Sequence, residues 1–519
     1  MELSDFRNEP ASDFKGNPEH IRRMKEALEE VRKELGREYD LVIGGKRIKT
    51  GDKLTSYNPA QKDQVVGVFS KANKELAQQA ILAAEQAFKN WSRTPADDRV
   101  TLVIETAKIL RERKYYYAAW MVYEVGKSWA EADADVAEAI DFCEFYARDM
   151  LRLAKPQPLT PVPGERNHLR YIPLGVGVVI PPWNFPLAIL AGMTMATIVT
   201  GNTAVVKPSS DSPTIGYKFF EALEKAGLPA GVVNYVTGSG AAVGDTLVTH
   251  PRTRFVAFTG SKEVGLRINE LAAKPAPGQV WVKRVVAEMG GKDSIVVDAE
   301  TDLAAAVDGV VASAFGFQGQ KCSACSRAIV VEKVYDPFVH MLKQRVEQIQ
   351  VGPPIEPATY MGPVINAGAR KQILAYIEQG KKEGRLVTGG NEGSSSGHFI
   401  APTVIADVSP KSTIAQEEIF GPVLAVIKAQ NFDEALEIAN NTEYGLTGAV
   451  YTKNRHKLEK AAEQFHVGNL YFNRKCTGAL VGAHPFGGFN MSGTDSKAGG
   501  HDYLLLFMQA KTVAEKVAV

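Results

Sequence analysis

The stretch GVGVVIPPWNFPLAILAGMTMATIVTGNTAVVKPSS, from Gly175 to Ser210, decides the fold predicted for this chain. Two runs rich in β-branched residues, Gly175–Ile180 and Thr203–Val206, flank an apolar segment of helical length. A strand, a helix and a second strand in this order are typical of a βαβ unit in a parallel sheet. Polar residues follow both strands, as expected at the carboxyl edge of such a sheet, where ligands bind.

The same stretch is long enough for a membrane span, which needs about 20 apolar residues. From Tyr171 to Val206 there is no charged residue. However, prolines at 173, 181, 182 and 186 interrupt the first half, and threonines and Asn202 fall in the remainder. Buried strands around a buried helix explain this pattern better, and no membrane partner is predicted.

Similar alternation of strands and helices extends along most of the chain. Further strands are predicted at Val232–Val236, Phe255–Phe258 and Val285–Ala287, and, after Glu288, at Ser294–Asp298, Ala328–Val331, Val423–Ile427 and Gly448–Tyr451. Because 519 residues exceed one ordinary core, we predict two α/β domains with mostly parallel sheets.

The N-terminal part has a different sequence pattern. Asn17 and Pro18 predict the start of an amphipathic helix outside the main core, and Gly36 its end. Strands are predicted around Leu41–Ile48 and Val65–Phe69, and helices over Asn73–Trp91, Ala96–Lys114 and Ala130–Leu153. Near the other end, the apolar run Tyr503–Met508 predicts a strand that joins the sheet of another subunit, and therefore a homodimer or a larger homo-oligomer.

Composition narrows the class of protein. Apolar residues make up 45% and charged residues 23%, and 60 Lys and Arg nearly balance 59 Asp and Glu. This is ordinary for a globular protein, and no nucleic-acid partner is predicted. Four cysteines without a second Cys pair or a nearby His group indicate neither a disulfide framework nor a metal site. The start, MELSDFRNEP, resembles no secretory signal, so we expect a reducing, cytoplasmic location.

Cys322 is the first candidate for chemistry. Most cysteines are buried fillers, but Gly319 and Lys321 give this one a polar, loop-like setting. A nearby cation favours the reactive thiolate, so Lys321 is expected to activate Cys322.

Other candidates each allow two interpretations. Glu288 is either a base that takes a proton from water or a structural carboxylate, and Asn184 either an oxyanion donor or a turn residue. The glycines of Gly238–Gly244 fit a loose dinucleotide-binding pattern or a tight turn. Ser261 would either help to seat a pyrophosphate on a helix N-terminus or simply cap that helix.

Taken together, six motifs resemble the aldehyde dehydrogenase superfamily across nearly the whole chain after the first helix. They are Pro182-Trp183-Asn184-Phe185-Pro186, Lys207-Pro208-Ser209, Phe258-Thr259-Gly260-Ser261, Glu288-Met289-Gly290-Gly291-Lys292, Gly319-Gln320-Lys321-Cys322 and Glu417-Glu418-Ile419-Phe420-Gly421-Pro422. The resemblance implies a Rossmann-type cofactor domain, an α/β catalytic domain and a small bridging or oligomerisation element.

The resemblance also implies catalytic roles. Cys322 would attack the aldehyde carbon, and the Asn184 amide with the Cys322 backbone N–H would hold the oxyanion. Hydride transfer to a nicotinamide would leave a thioester, and Glu288 would act as general base on the hydrolytic water.

The cofactor implied by the resemblance is NAD. The expected cofactor-binding residues are Ile180, Trp183, Lys207, Ser210, Gly240, Gly244, Thr259, Gly260, Ser261, Gly290, Glu418 and Phe420. Among these, Lys207 would face the adenosine ribose, Gly240 and Gly244 the adenine cleft, and Glu418 the nicotinamide ribose. Many NAD-preferring members have Glu where this chain has Ser210, which removes a charge that would repel a 2′-phosphate. We therefore expect NAD to be preferred and NADP to be tolerated.

Loops near the C-terminus resemble the branch of the superfamily that oxidises glutamate γ-semialdehyde. The loops are NRKCTGA from Asn473 and HPFGGFNMSGT from His484. The resemblance assigns the substrate carboxylate to the backbone N–H groups of Gly478 and Ala479 and to the Ser323 hydroxyl, with positive charge from Lys321. Phe185 and Phe486 would sandwich the aliphatic chain. Glu138 would meet the ammonium, unless it lies on a solvated helix face.

The expected division of the chain has four parts. They are a helical extension over 1–36, an NAD(P)-binding domain over 37–287 with a bridging segment near 156–172, a catalytic domain over 288–470, and an anchor loop with an oligomerisation tail over 471–519. Three alternatives remain open: another aldehyde such as succinate semialdehyde, a catalytically silent scaffold, and a thioester-using hydrolase that needs no nicotinamide.

Overall fold

The computed structural model describes residues 3–517. The helices are α1 (Pro18–Arg32), α2 (Lys74–Trp91), α3 (Ala96–Glu112), α4 (Lys114–Val125), α5 (Trp129–Ala154), α6 (Ala188–Val199), α7 (Pro213–Lys225), α8 (Asp245–Thr249), α9 (Lys262–Ala273), α10 (Leu303–Phe315), α11 (Glu332–Val346), α12 (Ala367–Glu383), α13 (Thr413–Gln416), α14 (Phe432–Asn440) and α15 (Arg455–Gln464). A π-helical turn covers Gly240–Gly244, and 3-10 turns cover Gly316–Gly319 and Tyr503–Phe507.

The strands form five sheets among the described residues. They are β1 (Arg37–Tyr39), β2 (Leu41–Ile43), β3 (Lys46–Ile48), β4 (Lys53–Asn58), β5 (Gln61–Ser70), β6 (Glu165–Pro173), β7 (Val176–Ile180), β8 (Thr203–Val206), β9 (Val233–Tyr235), β10 (Thr253–Thr259), β11 (Arg284–Glu288), β12 (Ser294–Val297), β13 (Arg327–Val331), β14 (Arg385–Thr388), β15 (Thr403–Ala406), β16 (Val423–Ala429), β17 (Tyr444–Gly445), β18 (Thr447–Tyr451), β19 (Asn469–Phe472), β20 (Phe489–Asn490) and β21 (Met508–Lys516).

The first large sheet has the strand order β11-β10-β7-β8-β9-β2-β3. From β11 to β9 all pairs are parallel, whereas β2 and β3 form an antiparallel hairpin at the edge. In its centre Val178 pairs with Val205 and Val256, and all three are fully buried. Helices lie on both faces of a parallel sheet, so its strands are apolar on both faces.

The second large sheet has the order β14-β15-β16-β13-β12-β18-β19 and is parallel except for β14. The predicted α/β architecture with mostly parallel sheets is therefore confirmed. Helix α6 is buried along almost its whole length, which explains its apolar sequence. Between residues 3 and 517, no helix combines the length and the apolar character that a membrane crossing requires.

One prediction about a helix needs correction, and one helix was not predicted. Asn17 caps α1 as expected, but the helix ends at Arg32, and Met24, Leu28 and Val31 lie in the core rather than outside it. The predicted helix Ala96–Lys114 is confirmed as α3, which ends at Glu112, whereas the separate helix α4, which begins at Lys114, was missed. Nearly every residue of α4 is buried, so its sequence has no polar face from which to read a helical period.

The strand predicted over Tyr503–Met508 is also wrong. Residues Tyr503–Phe507 form a 3-10 turn whose Tyr503, Leu504 and Phe507 side chains are buried. The strand β21 begins only at Met508 and pairs antiparallel with β6 of the same chain. The run is apolar because it packs into the core, and its role in oligomerisation stays a prediction.

Asn202 fastens this C-terminal turn to the first large sheet. Its Oδ1 accepts a hydrogen bond from the backbone N–H of Gly175 at 2.8 Å, and its Nδ2 donates to the Phe507 carbonyl at 2.8 Å. The side chain is fully buried. Removing it would leave a buried donor and a buried acceptor without partners, each costing about 1–3 kcal/mol.

We therefore expect Asn202→Ala to lower the free energy of unfolding by about 2–4 kcal/mol in urea denaturation. Asn391→Ala, at an exposed position, serves as the matched control and should change it by less than about 0.5 kcal/mol. Equal stability of the two variants would contradict this role of Asn202.

Candidate active site

A cavity of about 440 Å³ and a larger one of about 940 Å³ open on the described part of the molecule. The larger one lies where the parallel strands of the first sheet end and includes the nucleophile candidate Cys322. The predicted site residues that line it are Ile180, Trp183, Asn184, Lys207, Ser210, Thr259, Gly260, Ser261, Gly290, Cys322, Glu418 and Phe420. Parallel strands bring these distant residues together, because their carboxyl ends share one edge.

Gly240 and Gly244 are predicted to face the same cleft, but neither lines this cavity. They bound the π-helical turn, which Ser239 caps by accepting a hydrogen bond from the Ala242 N–H. A Cβ on Gly244 would lie 3.9 Å from Cδ and Cε of Lys207. These glycines therefore form the tight turn that lies behind the lysine.

Two polar residues that line the cavity, Ser261 and Lys207, suit the binding of an anion and of sugar hydroxyls. Ser261 is the N-cap of α9, and its hydroxyl accepts a hydrogen bond from the Val264 N–H at 3.4 Å, so the capping interpretation is correct. Ser261 also lines the cavity. Burial lowers the pKa of Lys207 to about 8. The ammonium donates only to the Pro208 carbonyl, at 3.3 Å, among the described residues. Lys207 is therefore available to a ligand oxygen.

Glu418 also lines the cavity. Its Oε1 accepts from the Gly291 N–H at 3.0 Å, and burial raises the pKa of the carboxyl to about 7. A Cβ at Gly290 would collide with this carboxylate, so glycine at this position lets Glu418 take its place. Phe420, in a left-handed conformation with φ 56°, packs edge-on against Trp183 with ring centroids 5.6 Å apart.

The loop before Cys322 is held by a residue that the sequence analysis missed. Phe317, Gln318 and Gly319 are all left-handed, with φ of 49°, 59° and 69°. The buried Gln318 amide donates to the carbonyls of Gly126 at 3.1 Å and Pro363 at 2.7 Å, and accepts from the Gly362 N–H at 3.0 Å. A polar side chain directly before the glycine of a turn gives no signal of such distant partners.

Cys322 is not activated as expected. Cys322 is half-buried, and desolvation by its surroundings, followed by the negative charges of Asp293, Glu418 and Glu288, raises the pKa of its thiol well above the usual range. The predicted activating cation is engaged elsewhere, because Lys321 Nζ donates to Glu131 at 2.8 Å. These surroundings therefore favour the thiol over the thiolate in the free protein.

Asn184 and Glu288 are the other two predicted catalytic residues. Asn184 Nδ2 donates to the Gln320 carbonyl at 3.0 Å, which leaves the second amide hydrogen for an oxyanion. Glu288 does not line the larger cavity, and burial raises its pKa to about 8. Its Oε1 accepts from the hydroxyl of Ser496, a residue that the sequence analysis did not single out.

None of the seven predicted substrate residues lines the larger cavity. Phe185 lies against Lys127, whose Nζ is 4.1 Å from the ring centroid. Ser323 is buried, Gly478 is left-handed with φ 76°, Ala479 is half-buried, and Phe486 forms a backbone bridge with Ala498. Cys476 Sγ donates to the Ser323 carbonyl at 3.3 Å, so the loop of Gly478 is joined to the nucleophile loop.

The acidic face of α5 was only partly predicted. Burial and then Asp135 raise the pKa of Glu138 to about 8, so it is not on a solvated face. Asp135 pairs with Lys127 at 2.7 Å, and Glu131 pairs with Lys321 at 2.8 Å. The spacing of Glu131, Asp135 and Glu138 places all three on one helix face, and this was the available signal.

We expect alkylation of Cys322 by iodoacetamide, without cofactor, to accelerate about tenfold per pH unit between pH 7 and 9, because only the thiolate reacts. Peptide mass spectrometry on Cys322 measures the rate, and Cys322→Ala controls for the other three, buried cysteines. A plateau below pH 8 would mean that the thiol is activated in the free protein.

Comparison with known proteins agrees with this geometry. The model of the aldehyde dehydrogenase family matches residues 47–513. A 1-pyrroline-5-carboxylate dehydrogenase of Geobacillus thermodenitrificans is 61% identical over 513 residues, which is 99% of either chain. The crystal structure of 1-pyrroline-5-carboxylate dehydrogenase from Thermus with bound NAD has a TM-score of 0.98 at 53% identity, over 99% of this chain and 100% of that one.

A more distant structure keeps the same fold. Betaine aldehyde dehydrogenase from Staphylococcus aureus in complex with NAD+ has a TM-score of 0.89 at 30% identity, and the match covers 95% of this chain and 97% of that one. Together with the family match over most of the chain, these likenesses assign the family. This chain belongs to the aldehyde dehydrogenase family.

Proposed function

We propose that this chain oxidises glutamate γ-semialdehyde, the open form of Δ1-pyrroline-5-carboxylate, to glutamate with NAD, as a step of proline catabolism. The observation that carries the chemistry is that one cavity brings the Cys322 thiol and the Asn184 amide together with Lys207, Ser261 and Glu418. The substrate is supported by the 61% identity with a relative named for it, which extends over the whole chain.

The cavity residues fit a dinucleotide. The first backbone N–H groups of α9 lie at the cavity wall beside Ser261, where a pyrophosphate is stabilised. Lys207 and Glu418 both line the cavity and have hydrogen-bonding capacity left for ribose hydroxyls. When bound, NAD supplies the acceptor for a hydride. Because Ser210 brings no negative charge, we propose that NADP is tolerated but not preferred.

The acylation half of the reaction uses Cys322 and Asn184. The Cys322 thiol gives up its proton to solvent water, its sulfur forms a bond to the aldehyde carbon, and the carbonyl oxygen becomes an oxyanion that the free hydrogen of the Asn184 amide stabilises. Loss of hydride from the same carbon leaves a thioester on Cys322. Thiolate is both a strong nucleophile and a good leaving group, so it suits both halves of the reaction.

The deacylation half uses Glu288 as general base. A water oxygen forms a bond to the thioester carbon while Glu288 accepts the water proton, and the C–S bond then breaks. The thiolate of Cys322 leaves and is available for the next aldehyde. The raised pKa of Glu288, about 8, places its ionisation close to the working range of a base at neutral to mildly alkaline pH.

The substrate groups need partners in a closed site. We propose that the N–H groups of Gly478 and Ala479 and the Ser323 hydroxyl bind the carboxylate, with Lys321 contributing less charge than expected because Glu131 already pairs with it. Glu138 has no hydrogen-bond partner among the described residues, which supports its proposed contact with the substrate ammonium. Phe185 and Phe486 are proposed to hold the aliphatic chain between them.

We also propose the division of the chain into four parts that the family resemblance implies. It has an extension over 1–36, a cofactor domain over 37–287 bridged near 156–172, a catalytic domain over 288–470, and an anchor and oligomerisation tail over 471–519. The exposed side chains of β21 support a homodimer or a larger assembly. All four cysteines are free, in keeping with the proposed cytoplasmic location.

The test is NADH formation by the purified protein with pyrroline-5-carboxylate, succinate semialdehyde and a simple aliphatic aldehyde. We expect pyrroline-5-carboxylate to give at least about tenfold higher kcat/KM, because it alone satisfies Glu138 and the anchor loop together. Cys322→Ala should abolish NADH formation with all three.

Preference for another aldehyde would overturn the substrate assignment but keep the mechanism. Failure of every aldehyde with both NAD and NADP would favour a silent scaffold. Ester hydrolysis without binding of either nucleotide would favour a hydrolase.

A further inference from the structure

The carboxylate of Glu288 makes close contacts with a neighbouring segment that its proposed role as a base does not explain. Glu288 ends strand β11, where it pairs with Thr259, and its side chain turns toward the segment from Gly487 to Lys497. Oε1 accepts from the buried Ser496 hydroxyl, whereas Oε2 has no partner among the described residues. A Cβ at Gly487 would lie 2.9 Å from Oε1, so the segment approaches the carboxylate closely.

Backbone pairing fixes this segment against β11. Met289 N–H donates to the Ser492 carbonyl at 2.8 Å, and Thr494 N–H donates to the Ala287 carbonyl at 2.9 Å. The Thr494 hydroxyl also accepts from the Ala287 N–H at 3.0 Å. These bonds are made by the residues directly before and after Glu288. The position of Ser496, two residues after Thr494, is therefore set by the strand that carries the base.

Lys497 fixes the other side of the segment. Its Nζ donates to the carbonyls of Gly468 and Gly487, both at 2.7 Å, and lies 5.6 Å from the ring centroid of Phe489. The ammonium thus joins the Gly487 turn, which borders the carboxylate, to the end of the second large sheet. It also places a positive charge near Glu288.

We infer that Ser496 and Lys497 are positioning residues for the general base: Ser496 holds Oε1, and Lys497 fixes the Gly487 turn and supplies the compensating charge. This inference rests on the proposed role of Glu288 in thioester hydrolysis. Because Ser496 engages one carboxylate oxygen, the other is the one left to accept the proton from water.

The groups around Glu288 determine whether loss of Ser496 or Lys497 raises or lowers the pKa of its carboxyl. Burial raises its pKa, Ser496, the Gly488 N–H and Lys497 lower it, and Asp495 raises it. Across the site, Cys322 and Tyr503 also interact with this carboxylate. Loss of the Ser496 hydroxyl or of the Lys497 charge therefore raises the pKa of Glu288, and less of the base is ionised at neutral pH.

The deacylation step can be measured without nicotinamide or semialdehyde. p-Nitrophenyl acetate transfers its acetyl group to the Cys322 sulfur and releases p-nitrophenolate. After rapid desalting, the loss of the acetyl mass from the intact full-length chain is followed between pH 6 and 10. In that step water adds to the acyl carbon, Glu288 takes the water proton, and the C–S bond breaks to release acetate.

We expect the rate of acetyl loss in the unaltered chain to rise with pH to a plateau, with a midpoint near 8. Ser496→Ala and Lys497→Met should move this midpoint up by about one pH unit and slow acetyl loss at pH 7 about tenfold, as one unit of pKa implies. Ser496→Thr and Lys497→Arg, which keep the hydroxyl and the charge, should restore the midpoint. Ser409→Ala, at an exposed and distant serine, is the neutral control.

An unchanged pH midpoint in both Ser496→Ala and Lys497→Met would overturn the inference. It would also be overturned if Ser496→Thr and Lys497→Arg slowed acetyl loss as much as Ser496→Ala and Lys497→Met do. A crystal structure of Ser496→Ala gives a second test that is independent of turnover, since the Glu288 carboxylate should leave its position beside Gly487. Failure of NAD reduction with semialdehyde would count against the proposed function alone, because neither of these measurements uses it.

Discussion

The active site depends on the hydrogen bonds of one buried amide, the side chain of Gln318. It satisfies two carbonyls and one N–H from Gly126, Gly362 and Pro363, and so holds three consecutive left-handed residues in the turn before Cys322. Left-handed backbone is unfavourable for Phe317 and Gln318 themselves and persists only where the surroundings enforce it. This turn places the thiol in the cavity at the end of the first sheet, although Cys322 lies in the loop that leads into β13 of the second sheet.

Burial is the second constraint, and it acts on four ionisable groups of the site. It raises the pKa values of Cys322, Glu288 and Glu418 and lowers that of Lys207, so each group is pushed toward its neutral form in the free protein. Reactivity then depends on what else enters the site. A substrate or cofactor that adds a positive charge or a hydrogen-bond donor near the thiol would favour the thiolate only after it has bound. Such coupling limits side reactions of the nucleophile while the site is empty.

The sequence predicted those features that repeat locally. Runs of β-branched residues located the central strands of both large sheets, and polar residues after each strand located most of the cavity wall. Helix α4 was missed because burial on nearly all sides removes the polar face, and β6 and β21 were missed because their exposed and half-buried residues look like a loop. Gln318 and Ser496 could not be identified from spacing, and the pairing of Glu131 with Lys321 could not be foreseen, since the partners lie about 45 to 208 positions away. The activation of Cys322 by Lys321 was predicted wrongly for the same reason, because Glu131 was not known to be within reach.

The central claim is that Cys322 carries the substrate as a thioester that Glu288 helps to hydrolyse. The most direct measurement is mass spectrometry of the Glu288→Gln variant after incubation with NAD and pyrroline-5-carboxylate and an acid quench. We predict about one NADH per chain, as expected when only the hydrolysis step is blocked, and a glutamyl thioester on the peptide that contains Cys322. NADH formation without an adduct, or with the adduct on another residue, would contradict the account.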